Sequence, residues 1–235
     1  LLPADAEPEQ IQNVIDRETD LLRMMETQMQ ALPSNDSKEK TLLEEWNLSI
    51  TPVNNEKELR QIKRHMGHSA DCFSKAFRVK NSNRDNAFWN YYDKHNYHKE
   101  DIHYWYHGSR NMNCLSILHN GLILNPKAPK VGHMFGYGIY LAPKAKKSIG
   151  YTSLNGSFWV HGTSDTAYLF VMKTVYKSPY HVYTWTSGMK SLTKSRISPH
   201  DAVFAHAGTS LRNDEVVIFD DAQVTLQYII ELKQQ

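Results

Sequence analysis

Hydrophobic positions over most of this chain recur in short runs with the spacing of β-strands. Runs rich in β-branched and aromatic residues that stop at glycine, proline or asparagine are typical of strands. They predict strands at residues 42–53, 73–79, 102–106, 122–124, 138–141, 167–176, 180–185, 215–219 and 224–232. The first should lie at a sheet edge because it ends near Pro52. We expect 167–176 to lie beside 180–185, and 215–219 to form a closing hairpin with 224–232.

Helical spacing of apolar residues is confined to a few segments of the chain. It predicts an amphipathic helix at 8–30 and shorter helices at 56–66, 86–98, 113–120 and 143–149. Composition indicates a linker at 31–39, surface loops at 125–132 and 152–163, and an irregular polar segment at 186–209. Many short strands with few, short helices predict an α+β domain built on mainly antiparallel sheets with short flanking helices.

Composition narrows the class of protein further. The chain has 235 residues, 40% of them hydrophobic, which is enough for one main domain with a small appendage. A formal net charge of +2 predicts no strong attraction to nucleic acid or to a membrane surface. Cys72 and Cys114 are too few for a disulfide framework and indicate a reducing compartment. No signal peptide or membrane span is predicted, and the missing initial Met suggests a fragment of a longer protein.

Two glycine-containing corners carry the candidate chemistry. The first is the run Tyr106-His107-Gly108-Ser109-Arg110, and the second is residues 136–142, with the sequence Gly-Tyr-Gly-Ile-Tyr-Leu-Ala. Each combines an aromatic and β-branched run with a glycine break and then passes into a helix-like segment. Two such corners side by side would offer backbone groups beside aromatic or imidazole rings, which predicts a ligand cleft.

Three motifs, found in order along the chain and including both corners, resemble those of a known family. They are His107-Gly108-Ser109-Arg110; residues 134–140, Met-Phe-Gly-Tyr-Gly-Ile-Tyr; and Asn213-Asp214-Glu215 followed by residues 222–224, Ala-Gln-Val. On these motifs, residues 42–235 resemble the catalytic domain of the poly(ADP-ribose) polymerases, which are diphtheria-toxin-like ADP-ribosyltransferases. Three motifs in the right order and spacing are far more specific than a lone glycine motif.

The resemblance implies a catalytic triad of His107, Tyr140 and Glu215. The implied reaction breaks the bond between nicotinamide and ribose in NAD+, which is consumed as a substrate, and transfers ADP-ribose to an acceptor. Positive charge grows on the ribose as the bond breaks, so a carboxylate aimed at it is chemically suited to the task. Taken alone, Glu215 opens a predicted strand and could be no more than a charge at its edge.

The resemblance also implies a set of NAD-binding residues. Gly108 would hold the nicotinamide carboxamide with its backbone, and Ser148 would add a hydroxyl. Tyr151 would stack on the nicotinamide ring from the side opposite Tyr140. Two further positions, Ser109 and Asn113, would serve the adenosine side. No metal is implied.

The resemblance divides the chain into two parts. Residues 1–40 would be a remnant of a regulatory helical domain, consisting of one helix and a linker, and residues 41–235 would be the catalytic domain. Asp16 and Asp20 fall where that helix carries two acidic residues facing the NAD site. Ordinary charged positions on a helix are more often solvated, so both interpretations stay open for them.

Several alternatives remain at this point. One alternative is a metal site formed by the closely spaced His95, His98, His103 and His107. These residues straddle a predicted helix and a predicted strand, and no further ligands complete such a site.

The type of activity also remains open. Glu215 favours extension of poly(ADP-ribose) chains, with mono-ADP-ribosylation and an inactive NAD or ADP-ribose binding module as the other possibilities. The implied partners are protein acceptors, including automodification, with DNA binding placed outside this fragment and no membrane. The family implies the nucleus, with the cytoplasm as the alternative.

Overall fold

A computed structural model describes Asp16, Thr19, Asp20, Leu22, Arg23 and residues 40–124 and 134–234. Within these residues the strands are β1 (Leu48–Pro52), β2 (Phe73–Asn81), β3 (Ile102–Gly108), β4 (Ile139–Leu141), β5 (Thr166–Val175), β6 (Pro179–Val182), β7 (Ala202–Ala205), β8 (Glu215–Ile218) and β9 (Val224–Lys233). The helices are α1 (Leu42–Glu45), α2 (Glu56–Met66), α3 (Ser82–Lys94), α4 (Cys114–Asn120) and α5 (Ala145–Ile149). Short 3-10 turns lie at Gly67–Cys72, Lys99–Asp101, Asn111–Asn113, Ser187–Ser191 and Asp221–Gln223.

The strands form two sheets. A five-stranded sheet has the order β1-β2-β9-β5-β3 and a four-stranded sheet has the order β4-β8-β7-β6. All pairs are antiparallel except β6 and β7, which are parallel. The predicted α+β class with mainly antiparallel sheets is confirmed, and β1 lies at a sheet edge as expected.

The main core lies between the two sheets. Phe170 and Met172 of the five-stranded sheet and Val216 and Ile218 of the four-stranded sheet belong to one cluster and are fully buried. Removing each such side chain from water contributes about 1.5–3 kcal/mol before the entropy cost of ordering it. The two sheets are thus held face to face, which fixes the position of their ends.

A second core covers the other face of the five-stranded sheet. Ile62 and Met66 of α2 and Ala145 of α5 pack with Leu169 and Ile230. The boundaries predicted for the 56–66 helix are confirmed. Its N-cap is Asn55, whose side chain accepts a hydrogen bond from the backbone N–H of Glu58 at 3.1 Å. This core anchors α5 against the sheet.

Several boundary predictions were wrong for local reasons. Residues 42–45 form a helical turn because Thr41 and Glu44 make a capping box. Residues 122–124 form no strand, and α3 begins at Ser82, where Asn81 caps it. Residues 186–209 contain β7, which the polar composition of that segment hides.

The predicted strand pairings near the C-terminus were also wrong. β5 and β6 lie in different sheets, and so do β8 and β9, so neither pair forms a hairpin. The turn before β9 is held by buried Gln223, whose side-chain amide donates to the carbonyls of Val175 and Asp201 at 3.1 and 2.9 Å. That anchor directs β9 into the five-stranded sheet between β2 and β5.

The expected alternation along β9 holds only in part. A register shift against β5 falls between Val171 and Met172. Before it, Leu226 packs in the core between the sheets, and after it, Ile230 packs on the opposite face. A bulge therefore exchanges the two faces of the strand, which a strict two-residue period cannot foresee.

The N-terminal predictions fall largely outside the described residues. The five that the structure describes there, residues 16, 19, 20, 22 and 23, are helical. The remainder of the 8–30 helix, the 31–39 linker and the 125–132 loop lie outside the described residues. Among the residues described, no helix has the length and apolar character needed to cross a bilayer.

Candidate active site

The two sheets are joined by backbone hydrogen bonds where β3 and β4 meet. The N–H of Tyr106 donates to the carbonyl of Ala142, and the N–H of Ala142 donates to the carbonyl of Tyr106, both at 2.9 Å. β4 pairs with β8 with Leu141 opposite Val216. Continuing this register by one residue places Glu215 opposite Ala142. The ends of three strands that carry the three sequence motifs therefore meet at one junction.

His107 lies directly after this junction, and its ring is fixed in one tautomer. Its Nδ1 is 3.0 Å from the carbonyl oxygen of Tyr140. A carbonyl can only accept, so Nδ1 carries the hydrogen and Nε2 presents its lone pair. Burial lowers the pKa of His107, and the hydrogen bond to Tyr140 opposes this only in part. The ring is thereby kept neutral, with an acceptor available for a ligand hydroxyl.

Gly108 is the last residue of β3 and touches the backbone of α5. A Cβ atom at this position would lie 1.7 Å from the carbonyl oxygen of Ser148, so only glycine fits. In an antiparallel ladder, backbone groups two residues apart point to the same side. Since those of Tyr106 reach Ala142, those of Gly108 point to the same side of β3, away from β5, where a planar amide could bind.

Helix α5 brings Ser148 and Tyr151 to the same place. Ser148 is buried beside Gly108, and its carbonyl accepts from the N–H of Tyr151 at 3.0 Å. Tyr151 is half-buried, and burial raises its pKa to about 12 with a smaller contribution from the charge of Glu215. Its phenol is therefore neutral and offers a ring face.

Tyr140 is held by the turn that precedes it. Its hydroxyl accepts from the N–H of Phe135 at 3.0 Å and donates to the carbonyl of Gly136 at 2.7 Å. Gly136 has φ +83°, and a Cβ there would lie 1.9 Å from the carbonyl oxygen of Leu192. These two hydrogen bonds lie within its own turn and fix the position of the ring.

Glu215 opens β8 and is buried, with 8% of its surface exposed. Burial raises the pKa of its carboxyl, and the charge and hydrogen bond of Lys147 act in the opposite direction. Lys147 Nζ is 2.8 Å from Glu215 Oε1. Sequence reasoning missed Lys147, since nothing in the run Lys146-Lys147 distinguishes the half-buried lysine from the exposed one.

The adenosine-side predictions fall on the segment after β3. Asn113 Nδ2 donates to Ser109 Oγ at 2.9 Å, so the two side chains form one polar unit. Asp20 lies against this segment, 3.6 Å from Arg110, and also pairs with Arg23 at 3.8 Å. Asp16 is exposed. The structure thus brings one of the two predicted acidic residues to the first motif.

A cavity of about 160 Å³ lies beside the first motif. It is lined by Arg110, Ser153 and residues 160–164, and by none of the predicted triad residues. It borders the predicted adenosine side of the site and lies outside the predicted nicotinamide side.

Three of the four histidines weighed as metal ligands have separate partners. His103 stacks on Tyr176, with ring centroids 4.2 Å apart, and His95 lies against Tyr91 at the same distance. His107 bonds to the Tyr140 carbonyl. Across residues 40–124, 134–234 and the five described N-terminal positions, no group of three or more His, Cys, Asp or Glu side chains could hold a metal ion.

Comparison with known proteins agrees with the motifs. A family model described as "Poly(ADP-ribose) polymerase catalytic domain" matches residues 56–234. The Drosophila melanogaster poly [ADP-ribose] polymerase is 31% identical over 147 residues, which is 54% of this chain and 15% of that protein. Poly [ADP-ribose] polymerase 2 of Arabidopsis thaliana is 25% identical over 225 residues, 81% of this chain and 34% of the relative. Poly [ADP-ribose] polymerase 2 of Homo sapiens is 47% identical over 57 residues, 23% of this chain and 10% of that protein.

Proposed function

Because the chain belongs to the poly(ADP-ribose) polymerase catalytic domain family, we propose that it is an ADP-ribosyltransferase that uses NAD+ as its substrate. The main supporting observation is the junction where the backbones of Tyr106 and Ala142 form hydrogen bonds, with His107 beside it and Glu215 on the neighbouring strand. The match spans only about 15% of the length of the first curated relatives. The reaction and its acceptors are therefore proposed from the residues of this chain.

The nicotinamide end of NAD+ binds against β3 and α5 in this proposal. The N–H and carbonyl of Gly108 point to the side needed by a carboxamide, which requires one donor and one acceptor. Ser148, a residue of α5, lies beside them and is buried. The neutral rings of Tyr140 and Tyr151 suit a flat cationic ring, which is attracted to aromatic faces.

Bond cleavage then depends on the two groups nearest the ribose. His107 accepts a hydrogen bond from a ribose hydroxyl through Nε2 and orients the sugar. The bond between nicotinamide and ribose breaks with its electron pair on nicotinamide, which leaves as a neutral molecule. The ionised carboxylate of Glu215 stabilises the positive charge that develops on the ribose.

Transfer of ADP-ribose to an acceptor completes the reaction. The proposed acceptors are proteins, including the enzyme itself. An acceptor oxygen forms a bond to the ribose carbon, and its proton passes to Glu215. We propose that the acceptor can also be a hydroxyl of an attached ADP-ribose unit, which extends a poly(ADP-ribose) chain. The support is Glu215 itself, because a buried carboxylate is suited to polarise an incoming hydroxyl.

Incubation with labelled NAD+ followed by gel separation tests the proposal. Label in protein with release of nicotinamide is the expected result, and a smear of rising mass supports polymer. A single sharp band would restrict the activity to mono-ADP-ribosylation. No label and no nicotinamide release would overturn the transferase and leave the binding module.

We also propose a domain division and a cellular location for the protein. Residues 1–40 are taken as a remnant of a regulatory helical domain next to the 41–235 catalytic domain, supported by the Asp20–Arg110 contact. The nucleus is the proposed location, and residues 1–235 are proposed not to contact DNA. Imaging of a tagged full-length protein tests the location, and a cytoplasmic signal would contradict it.

A further inference from the structure

The loop between α5 and β5 presents two large aromatic side chains to solvent. Phe158 is 59% exposed and Trp159 is 50% exposed. The Trp159 ring stacks on Tyr151, with centroids 5.8 Å apart and planes 18° from parallel. The aromatic pair is therefore continuous with the proposed nicotinamide site.

The backbone of this loop fixes where Trp159 lies. Its N–H donates to the carbonyl of Gly150 at 2.9 Å, which is the residue directly before Tyr151. A Cβ atom at position 150 would lie 2.9 Å from Cδ1 of Trp159, so the indole fills the space of a side chain there. Asn155 also donates to the carbonyl of Ser164 at 2.8 Å and closes the loop. Trp159 and the end of α5 thus pack as one unit.

The contacts continue from Trp159 towards the catalytic strand β8. Phe158 meets Trp159 edge to face at 4.6 Å, and the Arg212 guanidinium lies 5.7 Å from the centre of the Phe158 ring. Arg212 belongs to the segment that leads into Glu215. A row of four side chains therefore runs from Tyr151 to the approach of Glu215.

We propose that Trp159 is a positioning residue for Tyr151 in nicotinamide binding. It covers one face of the Tyr151 ring, which leaves the opposite face for a ligand ring. A ring held in place before binding loses less freedom when the ligand arrives, so binding is tighter. This inference rests on the proposed function, because it assigns Tyr151 to the nicotinamide ring of NAD+.

Separate binding measurements on the two halves of the substrate test the inference. Nicotinamide and ADP-ribose are each titrated into the wild-type chain and into Trp159→Ala, Trp159→Phe and Trp89→Ala. Trp89 is the matched control because it is 41% exposed and packs against Tyr92 on α3. Thermal unfolding of each variant is recorded alongside.

Trp159→Ala should weaken nicotinamide binding about 5- to 10-fold, equivalent to about 1–1.4 kcal/mol, and leave ADP-ribose binding within about 2-fold. Trp159→Phe should restore most of the loss, and Trp89→Ala should change neither affinity. Unchanged nicotinamide binding by Trp159→Ala, or equal losses for both ligands, would overturn the inference. If the wild type neither binds nicotinamide nor cleaves NAD+, the proposed function fails and this inference fails with it.

Discussion

Lys147 Nζ lies 2.8 Å from Glu215 Oε1, and both side chains are nearly buried, with 11% and 10% of their surfaces exposed. Burial raises the pKa of Glu215, while the lysine charge lowers it. A buried pair of this kind contributes little net stability, but removing one partner leaves an uncompensated charge. The contact therefore matters most for the ionisation state of the carboxylate.

Replacing Lys147 should change the pH dependence of the reaction. In Lys147→Gln the pKa of Glu215 rises further, because only the effect of burial remains. The ionised form is the active one, so activity is lost at a higher pH as the solution is acidified. The acidic limb of kcat/KM against pH should move upward by about 1 pH unit or more. Lys146→Gln is the control, since Lys146 is exposed. Coincident limbs for Lys147→Gln and wild type would exclude this coupling.

Glu215→Gln should remove catalysis and retain binding. An amide has nearly the shape of the carboxylate but no charge to offer the developing ribose cation, so kcat should fall about 10²- to 10³-fold. Nicotinamide binding should stay within about 3-fold, and polymer growth should be suppressed more than the first transfer. The measurements are NAD+ turnover, nicotinamide titration and gels of the labelled product. Glu100→Gln, at an exposed position, is the control. Undiminished polymer from Glu215→Gln would remove this residue from the mechanism.

The sequence predicted several local elements better than the topology that joins them. Local patterns were sufficient for β3, for the end of α4 at Gly121 and for the position of α2. The pairing of β8 and β9 failed because strands close in sequence favour a hairpin, whereas the choice between sheets depends on the buried contacts of Gln223.

Long-range contacts explain why the sequence motifs did not reveal every residue and constraint of the candidate site. Lys147 could not be singled out, because its partner lies on a strand far along the chain. The need for glycine at position 108 arises from the backbone of Ser148, which no local pattern reports. The motif residues could be named in advance because the family resemblance carries such distant contacts with it.

Gly108→Ala tests the close approach of β3 and α5. The new methyl group would lie 1.7 Å from the Ser148 carbonyl oxygen, so the strand or the helix must move. Overpacking of this kind destabilises by about 1–3 kcal/mol, and the displaced backbone should weaken nicotinamide binding at least about 10-fold. Thermal unfolding and nicotinamide titration measure the two effects. Gly188→Ala is the control, because no heavy atom lies within 4 Å of a Cβ there. Equal behaviour of the two variants would contradict the contact.

His107 should make the fold sensitive to acid. Burial lowers its pKa in the folded chain below the ordinary value of 6.5. As the pH falls through about 6.5 the unfolded chain takes up a proton that the folded chain does not, so stability is present above that pH and is lost below it.

The comparison with His107→Gln isolates this residue from the other histidines. Denaturant unfolding should show wild type losing stability relative to the variant by at most about 1.4 kcal/mol per pH unit below the unfolded pKa. The loss should stop once the pH passes below the folded pKa. Parallel curves from pH 7 downwards would show that His107 titrates alike in both states.

Tyr140→Phe separates the fold role of this residue from its role towards the ligand. The change removes the hydroxyl that accepts from the N–H of Phe135, a residue with no exposed surface, and that donates to Gly136. A buried N–H left without a partner costs about 1–3 kcal/mol. In a chain of this size we expect a fall in Tm of about 2–12 °C.

The ring face remains in Tyr140→Phe, so nicotinamide binding should change less than about 3-fold. Tyr104→Phe is the control for both measurements, because Tyr104 is 51% exposed. A variant with unchanged Tm and lost nicotinamide binding would reverse the assignment and place the hydroxyl against the ligand. The predicted opposite pattern follows from the two hydrogen bonds, because they tie the hydroxyl to the turn that contains Phe135 and Gly136.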